Sequence, residues 1–378
     1  MRLLNTKTLK LESFLGSVKP AYAILSHTWG DNEILFKDVQ HESTASWKQK
    51  AGGAKVLGVA EIARAMRYSY LWVDSCCIDK ASSAELSEAI NSMYKWCEES
   101  AICFAYLSDV RRETSADDAR YRWFEQSRWF ERGWTLQELI APPNVQFYDV
   151  NWVYLGSRRN LVDIIARITR ISRSALLKEV NVLEQSVSCK MSWAVGRATT
   201  RTEDMAYSLM GIFDINMPLL YGEGNKAFRR LQEEIIRHSN DHTILLSSDS
   251  LNHWAGRLNL LADTESWFST GQQFTRYVGP PSSQFQIQGN TLHGTLLLAA
   301  VKPGYVLGIL DGSYADDPTS LSRPALLLEE SDGLYARADN DIMRVTLADG
   351  YTASVRSYSR NRMDLETSGY PFTGLNNN

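Results

Sequence analysis

The sequence lacks most of the features that point directly to a function. Basic residues are in slight deficit, 40 Lys and Arg against 44 Asp and Glu, so there is no electrostatic case for binding nucleic acid or an anionic membrane surface. No apolar run approaches the roughly 20 residues of a membrane-spanning helix, and no span is expected. The first residues, MRLLNTKTLKLESFLG, are too polar and interrupted to read as a secretory signal. Only five cysteines occur, at positions 76, 77, 97, 103 and 189, and none has zinc-ligand spacing to another. Such an odd, sparse set reads as reduced thiols packed in the core of an intracellular, cytoplasmic protein. No pattern marks a base beside any of them, as a nucleophile would need. Internal repeats and low-complexity linkers are missing. GEGNKAF has glycines before a helix but neither the P-loop Lys-Ser/Thr nor G-x-G-x-x-G, and reads as a tight turn.

What is present is a soluble globular composition, 44% hydrophobic and 22% charged, with eleven tryptophans and seventeen tyrosines. That aromatic content suits stacking sites and large cores alike. A chain of 378 residues is long for one core and predicts two or three domains. The first part alternates strand and helix. YAILSHTWG begins as a strand, AKVLGVAEIARAMRYSY carries a helical apolar face, and YLWVDSCCID is a second strand. Ser82-Ser83 before Glu85 offers an N-terminal cap to a helix with Leu86, Ile90, Met93 and Trp96 on one side. AICFAYL and VQFYDV are third and fourth strands. This rhythm predicts an α/β fold, a parallel sheet with flanking helices.

Ligands of such sheets bind at the carboxyl ends of the strands. Ser26, His27, Thr28 and Trp29 stand after the first strand. Asp74, Ser75 and Asp79 follow the second, and Ser108 and Asp109 the third. Between the third and fourth strands lies SRWFERGWTLQELIAPP (127–143). Trp129, Phe130, Leu136, Leu139 and Ile140 recur at helical intervals and Pro142-Pro143 ends the run, so a short amphipathic helix is expected. It carries the acid Glu138 one turn beyond Trp134, with Arg128, Arg132 and Gln137 nearby. A lone carboxylate beside tryptophans at the mouth of a sheet is a candidate catalytic site.

Residues 155–250 are helical by pattern. NLVDIIARITRI and AFRRLQEEIIRH are amphipathic, and Thr202-Glu203-Asp204 can cap a helix EDMAYSLMGIF that Asn216-Met217-Pro218 stops. From 251 to 378 short apolar-polar alternations broken by Gly, Asp and Asn predict a β-rich domain, sandwich or small barrel in kind. The expected division is therefore 1–154, 155–250 and 251–378.

YAILSHTWG, YLWVDSCCIDKASSAELSEAINSMYKWCEES with AICFAYLSDV, and RGWTLQELIAPP closely resemble the three blocks of the fungal heterokaryon-incompatibility (HET) domain. SWAVGRATTRTEDMAYSLMGIFDINMPLLYGEGNKAFRRLQEEI resembles the segment that follows that domain in many fungal proteins. Membership implies self/non-self recognition with a cell-death or growth-arrest output. HET domains in turn resemble TIR domains distantly, which implies a TIR-like, flavodoxin-like sheet. RGWTLQEL resembles the TIR pattern W-C-x-x-E-L, with Thr135 where cysteine is frequent, and Glu138 falls on the catalytic glutamate. DSCCIDK departs from the usual TIR loop at that place.

The resemblance implies cleavage of the nicotinamide–ribose bond of NAD or NADP, with the dinucleotide as substrate and no cofactor. Glu138 would stabilise the oxocarbenium-like ribose, as carboxylates do in glycoside hydrolysis. Trp29 or Trp134 would stack on a ring, Arg128 or Arg132 would pair with pyrophosphate, and Ser26, His27 and Asp74 would line the substrate and orient hydroxyls. Self-association into a homo-oligomer is a further expectation from the TIR likeness. Ordinary structural roles are open to the same residues. Glu138 can be a surface acid paired with Arg132 or Arg128, the tryptophans core, Asp74 a turn cap, and Arg201, Glu203 and Asp204 a polar network. Two other functional readings also stand: a non-enzymatic self-associating adaptor, and a HET-derived enzyme acting on another small molecule.

Overall fold

The computed structural model describes residues 1–14, 19–40, 47–111, 122–248, 261–277, 284–288, 291–294, 296–317, 322–331, 334–348 and 352–356. The terminal FTGLNNN lies outside them. Two compact units are formed, residues 1–182 with 196–221, and residues 183–195 with 222–378.

The first unit is built on a seven-stranded mixed sheet. Its strands are β1 (Arg2–Asn5), β2 (Leu11–Ser13), β3 (Tyr22–His27), β4 (Tyr70–Val73), β5 (Ile102–Tyr106), β6 (Val145–Tyr148) and β7 (Tyr154–Ser157), in the spatial order β2-β1-β4-β3-β5-β6-β7. The strands β4, β3, β5 and β6 are parallel. Taken alone they run second-first-third-fourth, the beginning of the flavodoxin-like order, whose topological switch point lies between the first and third strands, here β3 and β5. β3 and β5 are buried at every position, as strands covered on both faces must be.

The edges are antiparallel, which the strand–helix rhythm did not reveal. β1 pairs with β4 through Leu4 opposite Leu71, and β2 folds back on β1. The hairpin turn is held by Asn5, whose side-chain oxygen accepts from the backbone N–H of Lys7 and Thr8. At the far edge β7 pairs antiparallel with β6.

Helices α1 (Phe36–Gln40), α2 (Ala51–Ala65), α3 (Asp74–Cys77) and α4 (Ser83–Glu98) fill the connections between β3 and β5. Ser82 caps α4 as expected, accepting from the N–H of Glu85. The second strand ends at Val73, ahead of the polar residues that begin at Asp74, and there α3 turns the chain at once. The single amphipathic helix expected over 129–140 is also not formed. Arg128–Glu131 make a 3-10 turn and Thr135–Ile140 make α5, whose six residues are all buried. The interruption comes where the chain pairs with a distant segment. Gly133 N–H donates to Ala198 C=O at 2.9 Å, and a Cβ on Gly133 would stand 2.5 Å from Thr199 Cγ2.

Further along, α6 (Val162–Thr169), α7 (Arg173–Leu176) and α9 (Glu203–Tyr207) belong to the first unit, and α8 (Val187–Ser192) and α10 (Lys226–His238) to the second. The expected helix over 203–213 breaks after Tyr207 and resumes as a 3-10 turn at Met210–Ile212. Ser208 C=O, which a longer helix would use internally, accepts from Gln137 Nε2 at 2.6 Å. Thr202 precedes α9 but makes no side-chain cap.

In the second unit, Gly222 and Gly224 take φ of +104° and +60°, the left-handed region that glycine permits, and turn the chain into α10. The β-rich part has a five-stranded antiparallel sheet ordered Leu297–Lys302, Tyr305–Ile309, Ser322–Ser331, Leu334–Ala348 and Thr352–Arg356. Leu307, Ile309, Ala325 and Val345 form its buried cluster.

Arg158, just after β7, determines where α5 ends. Its buried guanidinium donates to the carbonyls of Leu139 at 2.6 Å, Ile140 at 3.5 Å, Pro142 at 3.1 Å and Pro143 at 3.0 Å. A helix C-terminus leaves such carbonyls without intrahelical donors, and the prolines supply none. Arg158→Met, similar in length, leaves them buried and unsatisfied. The expected loss is about 3 kcal/mol, seen as a Tm lowered by roughly 5–10 °C in thermal melts. Arg158→Lys should recover only part of it, since an ammonium lacks the planar fork. An unchanged Tm in the methionine variant would remove Arg158 from this role.

Candidate active site

The switch point brings together the ends of β3 and β5 and the start of α5. Thr28 Oγ1 and Ser108 Oγ meet across it at 3.1 Å. Below them Trp129 Nε1 donates to Ser26 Oγ at 2.8 Å, and the Ser26 hydroxyl donates to Glu138 Oε2. Trp129 is fully buried, in edge-on contact with Phe130 and Phe147. It is a core residue whose one polar atom orients the serine. Glu138 is 6% exposed and is not the surface acid that its sequence neighbours allowed. Arg128 donates instead to Asp109, and Arg132 to Thr200.

Burial is the largest influence on Glu138 and pushes its carboxyl up. The Ser26 hydrogen bond opposes this, Asp74 adds to it, and Arg132 and Arg197 oppose it, leaving a pKa of about 8. At neutral pH the carboxyl is therefore protonated in the ligand-free chain. Arg197 is itself buried and donates to Arg132 C=O at 2.9 Å and Thr135 Oγ1 at 3.2 Å. Thr135 Oγ1 in turn donates to the carbonyls of Trp129 and Arg132. These bonds lock the turn before α5 and so fix where Glu138 points.

A second buried acid on the same edge has the opposite state. Burial would raise Glu33, but His27 Nε2 at 3.2 Å, Lys55 at 2.5 Å and the N–H of Gly30 at 2.7 Å outweigh it and hold the carboxyl at about 2. Glu33 is ionised and fully partnered, which marks it as the fastener of the 28–35 loop. Glu33 and Glu138 are thus driven to opposite states by their different surroundings.

His27 is buried, and its Nδ1 faces Asp74 Oδ1 at 3.9 Å. Asp74 Oδ2 accepts from Trp29 Nε1 at 2.8 Å and lies 3.8 Å from Lys80 Nζ. Trp29 is 41% exposed, unlike Trp129. Trp134 is half-buried and turns the other way, hydrogen-bonded to Asp204, which also accepts from Tyr221 at 3.0 Å. Arg201 stacks over the Tyr221 ring. The structure thus gathers Ser26, Glu138, His27, Asp74 and Trp29 around the ends of β3 and β4. Trp134 and Arg132 lie against residues 200–204, and Arg128 lies beside Asp109.

Sequence reasoning missed Glu33, Lys55, Lys80 and Arg197. Lys80 closes the DSCCIDK segment and was within sight; the others lie in stretches that read as plain loop or helix. Among the described residues no group of three or more His, Cys, Asp or Glu side chains is placed to hold a metal ion. The cysteines are unpaired. Burial raises Cys97 and Cys103, and the adjoining Cys77 with burial raises Cys76, well above the ordinary thiol range, so these are packing residues and not thiolate nucleophiles.

The raised Glu138 predicts a pH-dependent stability. Its folded pKa, about 8, lies above the unfolded value of 4.5. The unfolded chain therefore releases the proton first, and stability falls as pH rises from about 4.5 to about 8. Glu138→Gln keeps the shape and the Ser26 acceptor without the titration. The Tm of the variant relative to the natural chain should climb between pH 5 and pH 8.5. A constant difference would show that Glu138 titrates normally.

Residues 22–125 match the family described as heterokaryon incompatibility protein (HET). The chain is 40% identical over 314 residues to the vegetative incompatibility protein HET-E-1 of Podospora anserina, a match covering 80% of this chain and 22% of that protein. The chain thus spans about a fifth of the length of this curated relative. No solved structure matches the chain significantly. No helix among the described residues is long and apolar enough to cross a membrane. With the switch-point sheet and the matching blocks, residues 22–125 form a region of the fungal heterokaryon incompatibility (HET) family.

Proposed function

We propose that this chain acts in fungal incompatibility or programmed cell death by hydrolysing the nicotinamide–ribose bond of NAD or NADP, with Glu138 as the catalytic carboxylate. The observation that carries the reading is the state of Glu138. It is a buried, raised carboxyl, aimed by Ser26 and Trp129, at the switch point where sheets of this order bind ligands.

The chemistry follows from that state. The substrate's nicotinamide is cationic, and its approach favours the ionised form of a carboxyl otherwise held neutral. The C1′–N bond then breaks with its electron pair leaving on neutral nicotinamide, which needs no acid. The carboxylate stabilises the positive charge left on the ribose, and water adds at C1′ and gives up a proton. Ser26 orients Glu138. His27 and Asp74 stand near enough to order hydroxyls, and Trp29 offers an exposed ring. Arg128, Arg132 and Trp134 are engaged by Asp109, Thr200 and Asp204 and are given no part in the reaction. A self-associating adaptor would need no buried acid, so Glu138 favours the enzyme.

Incubation of the purified chain with NAD and NADP, following free nicotinamide by chromatography, tests this. Release by the natural chain and its loss in Glu138→Gln, at unchanged fold, is expected. The kcat/KM should rise about tenfold per pH unit below a limb near 8 and level above it, because the ionised carboxylate is the active form. Equal turnover in the variant removes the catalytic assignment. Silence at every protein concentration would move the reading to a self-associating adaptor.

A further inference from the structure

The basic side chain best placed to take a dinucleotide's phosphates is not one of the arginines of the 127–143 segment. Arg128 is exposed and ion-paired with Asp109, and Arg132 reaches Thr200. Lys55 is spent on Glu33 and the carbonyl of Thr28. Arg197 is buried beneath the α5 turn. Lys80 differs from all of these. Its ammonium lies 3.4 Å from the centroid of the Trp29 ring and 3.8 Å from Asp74 Oδ2, while Trp29 Nε1 donates to that same oxygen. Indole, ammonium and carboxylate form a three-part cluster that is partly open to solvent at the sheet's carboxyl edge.

The cluster is self-occluded. A flat ring cannot stack on this face of Trp29 while the ammonium covers it. Contact of a half-exposed ammonium with a ring is weak beside the stacking of two flat rings, so an aromatic ligand can displace it. Beneath the cluster the buried His27 Nδ1 has no hydrogen-bond partner, although the other nitrogen of the ring is engaged by Glu33. Asp74 Oδ1 is the nearest carboxylate oxygen to it, at 3.9 Å. Two polar atoms thus face each other beyond hydrogen-bond range beside a covered aromatic face. A polar group entering there would bridge them.

From this geometry we propose that Trp29, Lys80 and Asp74 form the recognition site for a pyrophosphate-bridged nucleotide. The base replaces the Lys80 ammonium on Trp29, and Lys80 swings on its four-carbon stem to the pyrophosphate. Lys80 is then a binding and positioning residue, and Asp74 is its resting partner. The inference rests on the proposed function for the identity of the substrate, yet binding can be read without turnover.

The experiment measures binding of ADP-ribose, which carries the pyrophosphate but no nicotinamide, and of adenosine, which carries no phosphate. The full chain is compared with Lys80→Ala, Lys80→Arg and Trp29→Ala by isothermal titration calorimetry. Lys80→Ala should weaken ADP-ribose binding about tenfold and flatten its salt dependence, without weakening adenosine. Lys80→Arg should recover most of the loss, and Trp29→Ala should weaken both ligands. Lys80 is on the surface and each variant's Tm is checked, so misfolding is recognised separately. Unaltered ADP-ribose binding in Lys80→Ala, or no ADP-ribose binding by the natural chain, overturns the proposal. If Lys80-dependent binding is found without nicotinamide release, the recognition site stands and the glycohydrolase reading falls. Release with a KM indifferent to Lys80 has the reverse meaning.

Discussion

The first unit depends on one arrangement, a carboxyl group taken out of water and held by a single serine hydroxyl. Burying an acid in this way is unfavourable unless it is protonated or paired. Glu138 meets that cost by a raised pKa rather than by an ion pair, although arginines stand close by. Trp129 makes the arrangement specific. Its indole N–H sets the direction of the Ser26 hydroxyl, and its ring is clamped by Phe130 and Phe147. The acid's position is therefore dictated by core packing, which gives little when a ligand arrives.

Arginines fix the segment around it from both ends. Arg197 and Thr135 tie the turn before α5, and Arg158 collects the carbonyls after it. A helix of six residues has almost no intrinsic stability, so these contacts and not propensity explain why Thr135–Ile140 is helical. The long-range pairing of Gly133 with Ala198 joins residues 196–221 to the α/β sheet. That pairing accounts for a glycine at 133, where Thr199 leaves no room for a Cβ.

The parallel strands, the capped helix Ser83–Glu98 and the polar groups after β3 and β4 were all legible in the sequence, because each is a local pattern of periodicity and capping. The edge hairpin was not. β1 is ordered by pairing with β4 and β2 by pairing with β1, and nothing in MRLLNTKTLKLES announces that Leu4 will lie opposite Leu71. The break within 129–140 and the early end of the helix at Tyr207 had the same cause. In both places backbone groups were claimed by distant residues, Ala198 in one case and Gln137 in the other.

By itself the sequence determined the family, the α/β class of the first region, the β texture of the last, and Glu138 as the residue to watch, since all of these reside in contiguous motifs. Only the tertiary structure decided what kind of acid Glu138 is. Ionisation depends on how much water and which charges surround a group, and those come from Ser26, Asp74, Arg132 and Arg197, brought together from separate segments. The same holds for tryptophans that look alike in sequence. Trp129 is sealed in the core and Trp29 is partly exposed with Lys80 over its ring, because the first packs against Phe130 and Phe147 and the second begins the loop that leaves β3.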